Sequence, residues 1–250
     1  AAAYKHVPLV EINKSDGIKN NILATRSVSL AAINNQVDKV ILISSDKAVR
    51  PTNVMGATKL LSEILIKQLS ANKIKTIFST VRFGNVIDSS GSVIPLFRKQ
   101  IKSGGPLTIT HPDMERYFMT ISEAVNLVLY TSVFMQGGET FILNMGERIK
   151  IIDLAKKMIK ASGLKVKDNY KKGDIEIKIV GTRPGEKLKE ELFFNGKLKK
   201  TIHPLINIAE ENIIIPNRLI EKINEIINNI KNNDDEKALS LFDKLYKEIK

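Results

Sequence analysis

Lys39-Val40-Ile41-Leu42-Ile43-Ser44-Ser45-Asp46-Lys47-Ala48-Val49-Arg50-Pro51-Thr52-Asn53-Val54-Met55-Gly56-Ala57-Thr58-Lys59 passes from a short apolar run through a proline-bearing loop into the start of a helix. Residues 39–44 are too few for a helix and almost wholly apolar, the mark of a strand covered on both faces. The spacing of Leu61, Leu65 and Leu69 predicts a helix over 57–71. A second β-rich run follows over 76–81. Strand, crossover helix and strand in that order imply a parallel, doubly wound sheet.

Upstream, Ser15 and Asp16 are N-cap candidates for a helix running to about residue 34, with Ile18, Ile22, Val28 and Ala32 near one face. Downstream, the Gly/Ser stretch 88–92 reads as a loop, and 93–103 as a helix closed by Gly104-Gly105. Strands are expected over 107–110, 140–144 and 175–180, and helices over 122–134 and 151–161. The tail, 218–250, reads as two Lys/Glu-rich amphipathic helices around 232–235, and there is no internal repeat. The fold class is therefore α/β: a Rossmann-like doubly wound parallel sheet, incomplete on its amino-terminal side, with a smaller C-terminal α/β region and a helical tail. The expected divisions are 1–90 for the nucleotide-binding part, interleaved with later segments, 91–215 for the substrate-binding region, and 216–250 for the tail.

Composition narrows the function. The chain has 250 residues, 43% hydrophobic, enough for a sizeable core. It has no cysteine, and its three histidines, His6, His111 and His203, are scattered, so no metal site is expected. No run reaches the roughly 18–20 apolar residues of a membrane span, so this segment reads as soluble and cytoplasmic, without membrane contact. The formal charge of +12 is spread along the chain rather than interleaved with aromatics, which speaks against nucleic acid and suits an anionic small substrate. The opening Ala1-Ala2-Ala3-Tyr4-Lys5-His6-Val7-Pro8 has no initiator methionine, as though the chain were entered in mid-domain, and a fragment is expected.

The chemistry gathers after the first strand. Ligands in open α/β sheets bind at the carboxyl ends of strands. There Ser45, Asp46 and Lys47 place a hydroxyl, a carboxylate and an ammonium together, a proton-transfer set. Alone, such a tripeptide is more often a solvated turn. Met55 and Lys59, at i and i+4, share one face of the next helix at its first turn, aimed at the same sheet edge.

With these residues in view, the segment resembles the active-site stretch of the CapD-like polysaccharide-biosynthesis family, UDP-N-acetylglucosamine 4,6-dehydratases within the extended short-chain dehydrogenases. Three further motifs resemble that family in order: 1–8, Val81-Arg82-Phe83-Gly84-Asn85-Val86 and Gly181-Thr182-Arg183-Pro184-Gly185-Glu186-Lys187-Leu188. The resemblance implies an internal redox cycle on UDP-N-acetylglucosamine, with NAD, rather than NADP, as the cofactor. Oxidation at C4 acidifies the C5 proton, water leaves from C6, and the hydride returns to C6. It implies Lys47 as the C5 base, Asp46 as the acid for the leaving hydroxyl, Ser45 at the C4 oxygen, and Lys59 at the nicotinamide ribose. The cofactor would lie against Ala2, Ala3, Tyr4, Ser44, Lys59 and Arg82. The UDP-sugar would meet Lys5, His6, Asn85, Arg116, Arg183 and Glu186, since guanidinium forks match phosphate and a carboxylate accepts from ribose hydroxyls. A homo-oligomer is expected, and members of the family often carry membrane helices further upstream, which would anchor a full-length protein at the inner membrane.

Two departures qualify the resemblance. Ser45 stands where most members have threonine, and the hydroxyl survives. Met55 stands where the wider superfamily has tyrosine, and a thioether neither takes nor gives a proton. Methionine is itself familiar in the CapD-like branch and would form an apolar wall beside the nicotinamide. A Gly-rich phosphate cradle is not found here: either it precedes Ala1, or the protein does not bind NAD. A nucleotide-sugar 4-epimerase, or a non-catalytic nucleotide-sugar-binding protein, remains open on the same scaffold.

Overall fold

The structure, a computed structural model, describes residues 2–72, 74–167, 173–194 and 196–249. Ala1 and Lys250, which fall in the opening motif and the tail, lie outside the described residues.

The amino-terminal helical stretch is more broken than its apolar spacing suggests. Pro8 starts a short helix α1 (Val7–Ile12), where its missing N–H costs nothing. Then α2 (Lys14–Ile18) passes through a π-turn over Lys19–Leu23 into α3 (Ala24–Asn34). Strand β1 (Lys39–Ile43) leads into a single 3₁₀ turn over Asp46–Ala48, then α4 (Val54–Ser70) and β2 (Ile77–Arg82). After these come β3 (Asn85–Val86), α5 (Val93–Lys102), β4 (Leu107–Ile109), β5 (Glu115–Arg116), β6 (Phe118–Met119), α6 (Ile121–Phe134) and β7 (Thr140–Leu143). Next are β8 (Ile149–Lys150), α7 (Ile151–Ala161), β9 (Val166–Lys167), β10 (Ile175–Ile179), β11 (Lys197–Lys200) and β12 (Ile206–Glu210). The tail forms α8 (Leu219–Lys231) and α9 (Asp235–Ile249).

The chain divides into two compact units: residues 1–83, 126–144 and 191–250 in the first, and 84–125 with 145–190 in the second. In the first, the sheet order is β1-β2-β7-β12-β11. β1, β2 and β7 are parallel, as the crossover helix requires, with Ile43 opposite Val81 and Val81 opposite Phe141. β12 and β11 extend the sheet antiparallel. β1 is an edge strand and so only half-buried along Val40–Ile43, rather than covered throughout as its apolar run predicts. At the opposite edge, Lys197, Lys199 and Lys200 of β11 are exposed.

The core of this unit centres on α4, whose Leu61, Ile64 and Leu65 are at most 1% exposed. They belong to one apolar cluster with Phe78 of β2, Ile18 and Ile22, and the tail residues Ile223, Ile226, Ile227, Phe242 and Leu245. Each large aliphatic or aromatic group so enclosed contributes roughly 1.5–3 kcal/mol. The tail helices are thus part of the same apolar core as the helix that follows the Ser-Asp-Lys turn. In the second unit, Phe97 of α5, Leu107 and Ile109 of β4, Ile175 of β10 and Ile151, Ala155 and Ile159 of α7 form a separate core.

Candidate active site

The carboxyl end of β1 runs on past its last residue: the Ser44 amide donates to the Val81 carbonyl and the Asp46 amide to that of Phe83. The chain then turns over Asp46–Ala48. Ser45 begins the turn, its Oγ accepting from the Lys47 amide at 3.2 Å and donating to Asp46 Oδ1 at 2.9 Å. Lys47 Nζ reaches the same Oδ1 at 3.0 Å. Asp46 is fully buried and Lys47 is the more open partner, 21% exposed at its side chain. Asp46 Oδ2 is buried with no hydrogen-bond partner. An enclosed carboxylate oxygen left unpaired costs folding energy, so the site holds a group whose charge the fold does not fully satisfy.

Beyond the turn, Arg50 lies in the left-handed region with φ 43°. A non-glycine residue there costs on the order of 1–3 kcal/mol and persists only where neighbours hold it; Arg50 is ion-paired to Glu191 at 2.5 Å. Asn53 then caps α4, its side chain accepting from the Gly56 amide at 2.8 Å, and Glu11 accepts from the Val54 amide at 2.6 Å. Gly56 is indispensable to this packing: a Cβ there would stand 2.3 Å from the Lys47 carbonyl oxygen.

Met55 is 2% exposed. Lys59, one turn on, donates from Nζ to the Ile43 carbonyl at 2.9 Å, so α4 returns its ammonium to the end of β1. Burial pushes that ammonium below its usual range, partly opposed by Glu63. The opening stretch reaches the same region. Burial, and then the positive charge of Lys47, lower the ammonium of Lys5. The Tyr4 amide donates to Asn21 Oδ1 at 2.8 Å, and Asn21 Nδ2 donates to the Tyr4 carbonyl at 3.0 Å and to Thr58 Oγ1 at 2.9 Å. Ala2 and Ala3 are exposed, and half-buried His6 precedes α1. Ser44, Ser45, Asp46, Lys47, Met55, Lys59 and the 2–6 segment therefore all belong to the first unit. Buried Asn21, placed by the π-turn, is a member that helical periodicity hides.

Arg82, a position expected along the cofactor, keeps its side chain fully enclosed, forking onto Glu63 (Nε at 2.9 Å, Nη2 at 2.6 Å) and reaching Glu211 through Nη1 at 2.8 Å. Burial alone would lower this guanidinium, but the two carboxylates hold it above its usual value. A cation so engaged inside the core is a structural tie, and its fork has no face left for a ligand. Both carboxylates lie far from Arg82 in sequence, so neither could be paired with it by spacing.

In the second unit, Asn85 opens β3, its amide donating to the Tyr117 carbonyl at 3.2 Å. Arg116, Arg183 and Glu186 come together there. Arg116 is buried, with Nη1 donating to the carbonyls of Glu115 at 2.7 Å and Leu188 at 3.1 Å, and Nη2 3.9 Å from Glu186 Oε1. Glu186 also accepts from Thr110 Oγ1 at 3.2 Å and from the Arg183 amide at 3.1 Å. The loop turns through Gly181 and Gly185, both at positive φ (87° and 74°), and leaves Arg183 exposed. Arg116 is thus tied to backbone carbonyls and Glu186, and Arg183 is the more accessible guanidinium of the two.

Among the described residues, no helix is long and apolar enough to cross a membrane. Residues 1–211 match the model of a family described as polysaccharide biosynthesis protein. The capsular polysaccharide biosynthesis protein CapD of Staphylococcus aureus is 54% identical over 204 residues, covering 82% of this chain and 32% of that protein. A UDP-glucose 4-epimerase of Rickettsia rickettsii is 41% identical over 203 residues, covering 80% of this chain and 56% of that one. The X-ray structure of Pen from Bacillus thuringiensis superposes with a TM-score of 0.70 at 43% identity, covering 77% of this chain and 58% of the other. The chain therefore spans about a third of CapD and just over half of the epimerase and of Pen. With the parallel sheet and the strand-end turn in place, the family match carries the conclusion: this chain belongs to the polysaccharide biosynthesis protein family.

Proposed function

We propose that this chain carries the proton-transfer machinery of a 4,6-dehydratase acting on UDP-N-acetylglucosamine. The observation that carries the reading is the Ser45-Asp46-Lys47 cluster at the end of β1, with Asp46 buried behind the Lys47 ammonium. Loss of water across C5 and C6 needs a base at one carbon and an acid at the other's hydroxyl. Lys47, the more open group, takes the C5 proton. Asp46, whose Oδ2 has no internal partner, holds the proton that leaves with the C6 hydroxyl. Ser45 Oγ, bonded to Asp46, steadies the C4 oxygen and links it to that carboxyl. Lys5, whose charge burial and then Lys47 disfavour, is proposed to meet the sugar.

A nicotinamide would supply the acceptor and later the donor of hydride. The residues here fit it: the Lys59 ammonium fixed at the end of β1 suits a ribose hydroxyl, Met55 offers an apolar wall, and Ser44 Oγ is buried without a partner. NAD rather than NADP is part of the proposal. Arg183, exposed, and Glu186 are proposed to grip the nucleotide.

A second reading, a 4-epimerase, draws on the relatives named UDP-glucose 4-epimerase at about 41% identity. The Asp46-Lys47 pair weighs against it, because inversion at C4 needs no base at C5 and no acid at the C6 hydroxyl. Full-length protein given UDP-N-acetylglucosamine deuterated at C4 separates the two. Dehydration moves the label to C6 of a 4-keto-6-deoxy sugar; label that stays at C4, or a C4-inverted product, overturns the dehydratase reading.

A further inference from the structure

The family match ends at residue 211, and the hairpin of α8 and α9 lies beyond it. This tail still reaches the Asp46–Lys47 turn. Tyr246 of α9 donates its hydroxyl to the Pro51 carbonyl at 2.8 Å, across 195 residues of sequence. Pro51 is buried and follows Arg50, the residue at φ 43°. Ala48 and Val49, between the catalytic pair and Arg50, are fully buried, and Ala48 shares its apolar cluster with Phe242 and Leu245 of the same helix. We infer that Tyr246 is a positioning residue: through the Pro51 carbonyl it holds the loop that sets Asp46 and Lys47, making the tail a brace for the active-site turn.

Three features carry the inference. The loop contains a backbone conformation that persists only under external restraint. The Arg50–Glu191 pair that restrains it from one side is largely solvent-exposed and gives little by itself. On the other side the restraint is a phenol on the amphipathic helix α9, whose Phe242 and Leu245 are buried in the core, and burial raises its ionisation above the usual value, so the hydroxyl stays a donor across the working range. Tyr246 touches neither a reacting atom nor a group assigned above to substrate, so its effect passes through the backbone.

The catalytic arm of the test rests on the dehydratase reading; the exchange arm does not. Deleting the tail would strip the core around α4, so Tyr246→Phe in the full-length protein is the informative change. Amide hydrogen exchange is followed at Ala48 and Val49, whose amides donate to Ser45 and Asp46. The variant should exchange there about tenfold faster, while the α4 amides Ile64 and Leu65 keep their rates. Its kcat should fall about tenfold with KM for the nucleotide sugar within twofold. Unchanged exchange at Ala48 and Val49 overturns the brace, and so does acceleration spread equally over α4, which marks general loosening. Wild-type protein without dehydratase turnover defeats the reading of the reaction, and the exchange result still decides the brace.

Discussion

Asp46 and Lys47 are neighbours in sequence and share one carboxylate oxygen, yet they live in different surroundings. Asp46 is sealed, and Lys47 keeps a fifth of its side chain open. The division of labour proposed for them follows from that asymmetry and predicts different failures. Lys47→Ala should abolish exchange of the substrate's C5 proton with solvent. Asp46→Asn should leave oxidation at C4 possible and slow loss of water. Each should lower turnover by about 10²–10⁴-fold, the usual cost of removing a general acid or base. Deuterium exchange read by NMR, beside turnover of the same variants, checks both. Near-normal turnover in the two variants sinks the assignment. Arg82 shows the opposite case, where a residue's place in a motif says little about its side chain. Its position at the end of β2 resembles a ligand-binding strand end, but two buried carboxylates claim the guanidinium.

Helix α4 shows why one small residue governs an element. Alanine favours helices over glycine by about 1 kcal/mol, so Gly56→Ala would ordinarily stabilise. Here the new Cβ meets the Lys47 carbonyl at 2.3 Å, and backbone cannot swing aside as a flexible side chain can. Overpacking of that kind costs about 1–3 kcal/mol and should win. Urea unfolding should show a net loss, and turnover should fall because the displaced carbonyl belongs to Lys47; a more stable variant would mean α4 approaches the turn less closely. Elements of this kind were legible where their pattern was long and regular: the helix expected over 151–161 is α7, and Leu61, Leu65 and Leu69 did mark α4. The hairpin of β11 and β12 was not, because Lys197-Leu198-Lys199-Lys200 has the composition of a solvated loop and earns its strand by pairing with β12. The π-turn hid for a related reason. Apolar spacing continues through Ile18 and Ile22, and the extra residue shows only in where Asn21 points. The Ser-Asp-Lys turn and the Met55/Lys59 face were legible because they are local. Tyr246, Glu63 and Glu211 were not, because partnership over tens to hundreds of residues leaves no spacing to read.

At the scale of the whole first unit, Arg82 joins α4, β2 and the segment after β12 through Glu63 and Glu211. Such a tie is sensitive to the loss of one member. Glu211→Ala leaves Arg82 Nη1 and the Phe194 amide without their carboxylate, inside the core. Removing one partner of a buried pair costs about 3–5 kcal/mol, and the urea midpoint should drop accordingly; a loss below about 1 kcal/mol would mean that water or a neighbour takes over the charge. One margin of the sheet carries a different consequence. β11 ends it with exposed Lys197, Lys199 and Lys200, whose like charges repel any strand of the same kind. Sheet extension at that margin is therefore closed by charge rather than by shape, and it should reopen only as added salt screens the lysine row.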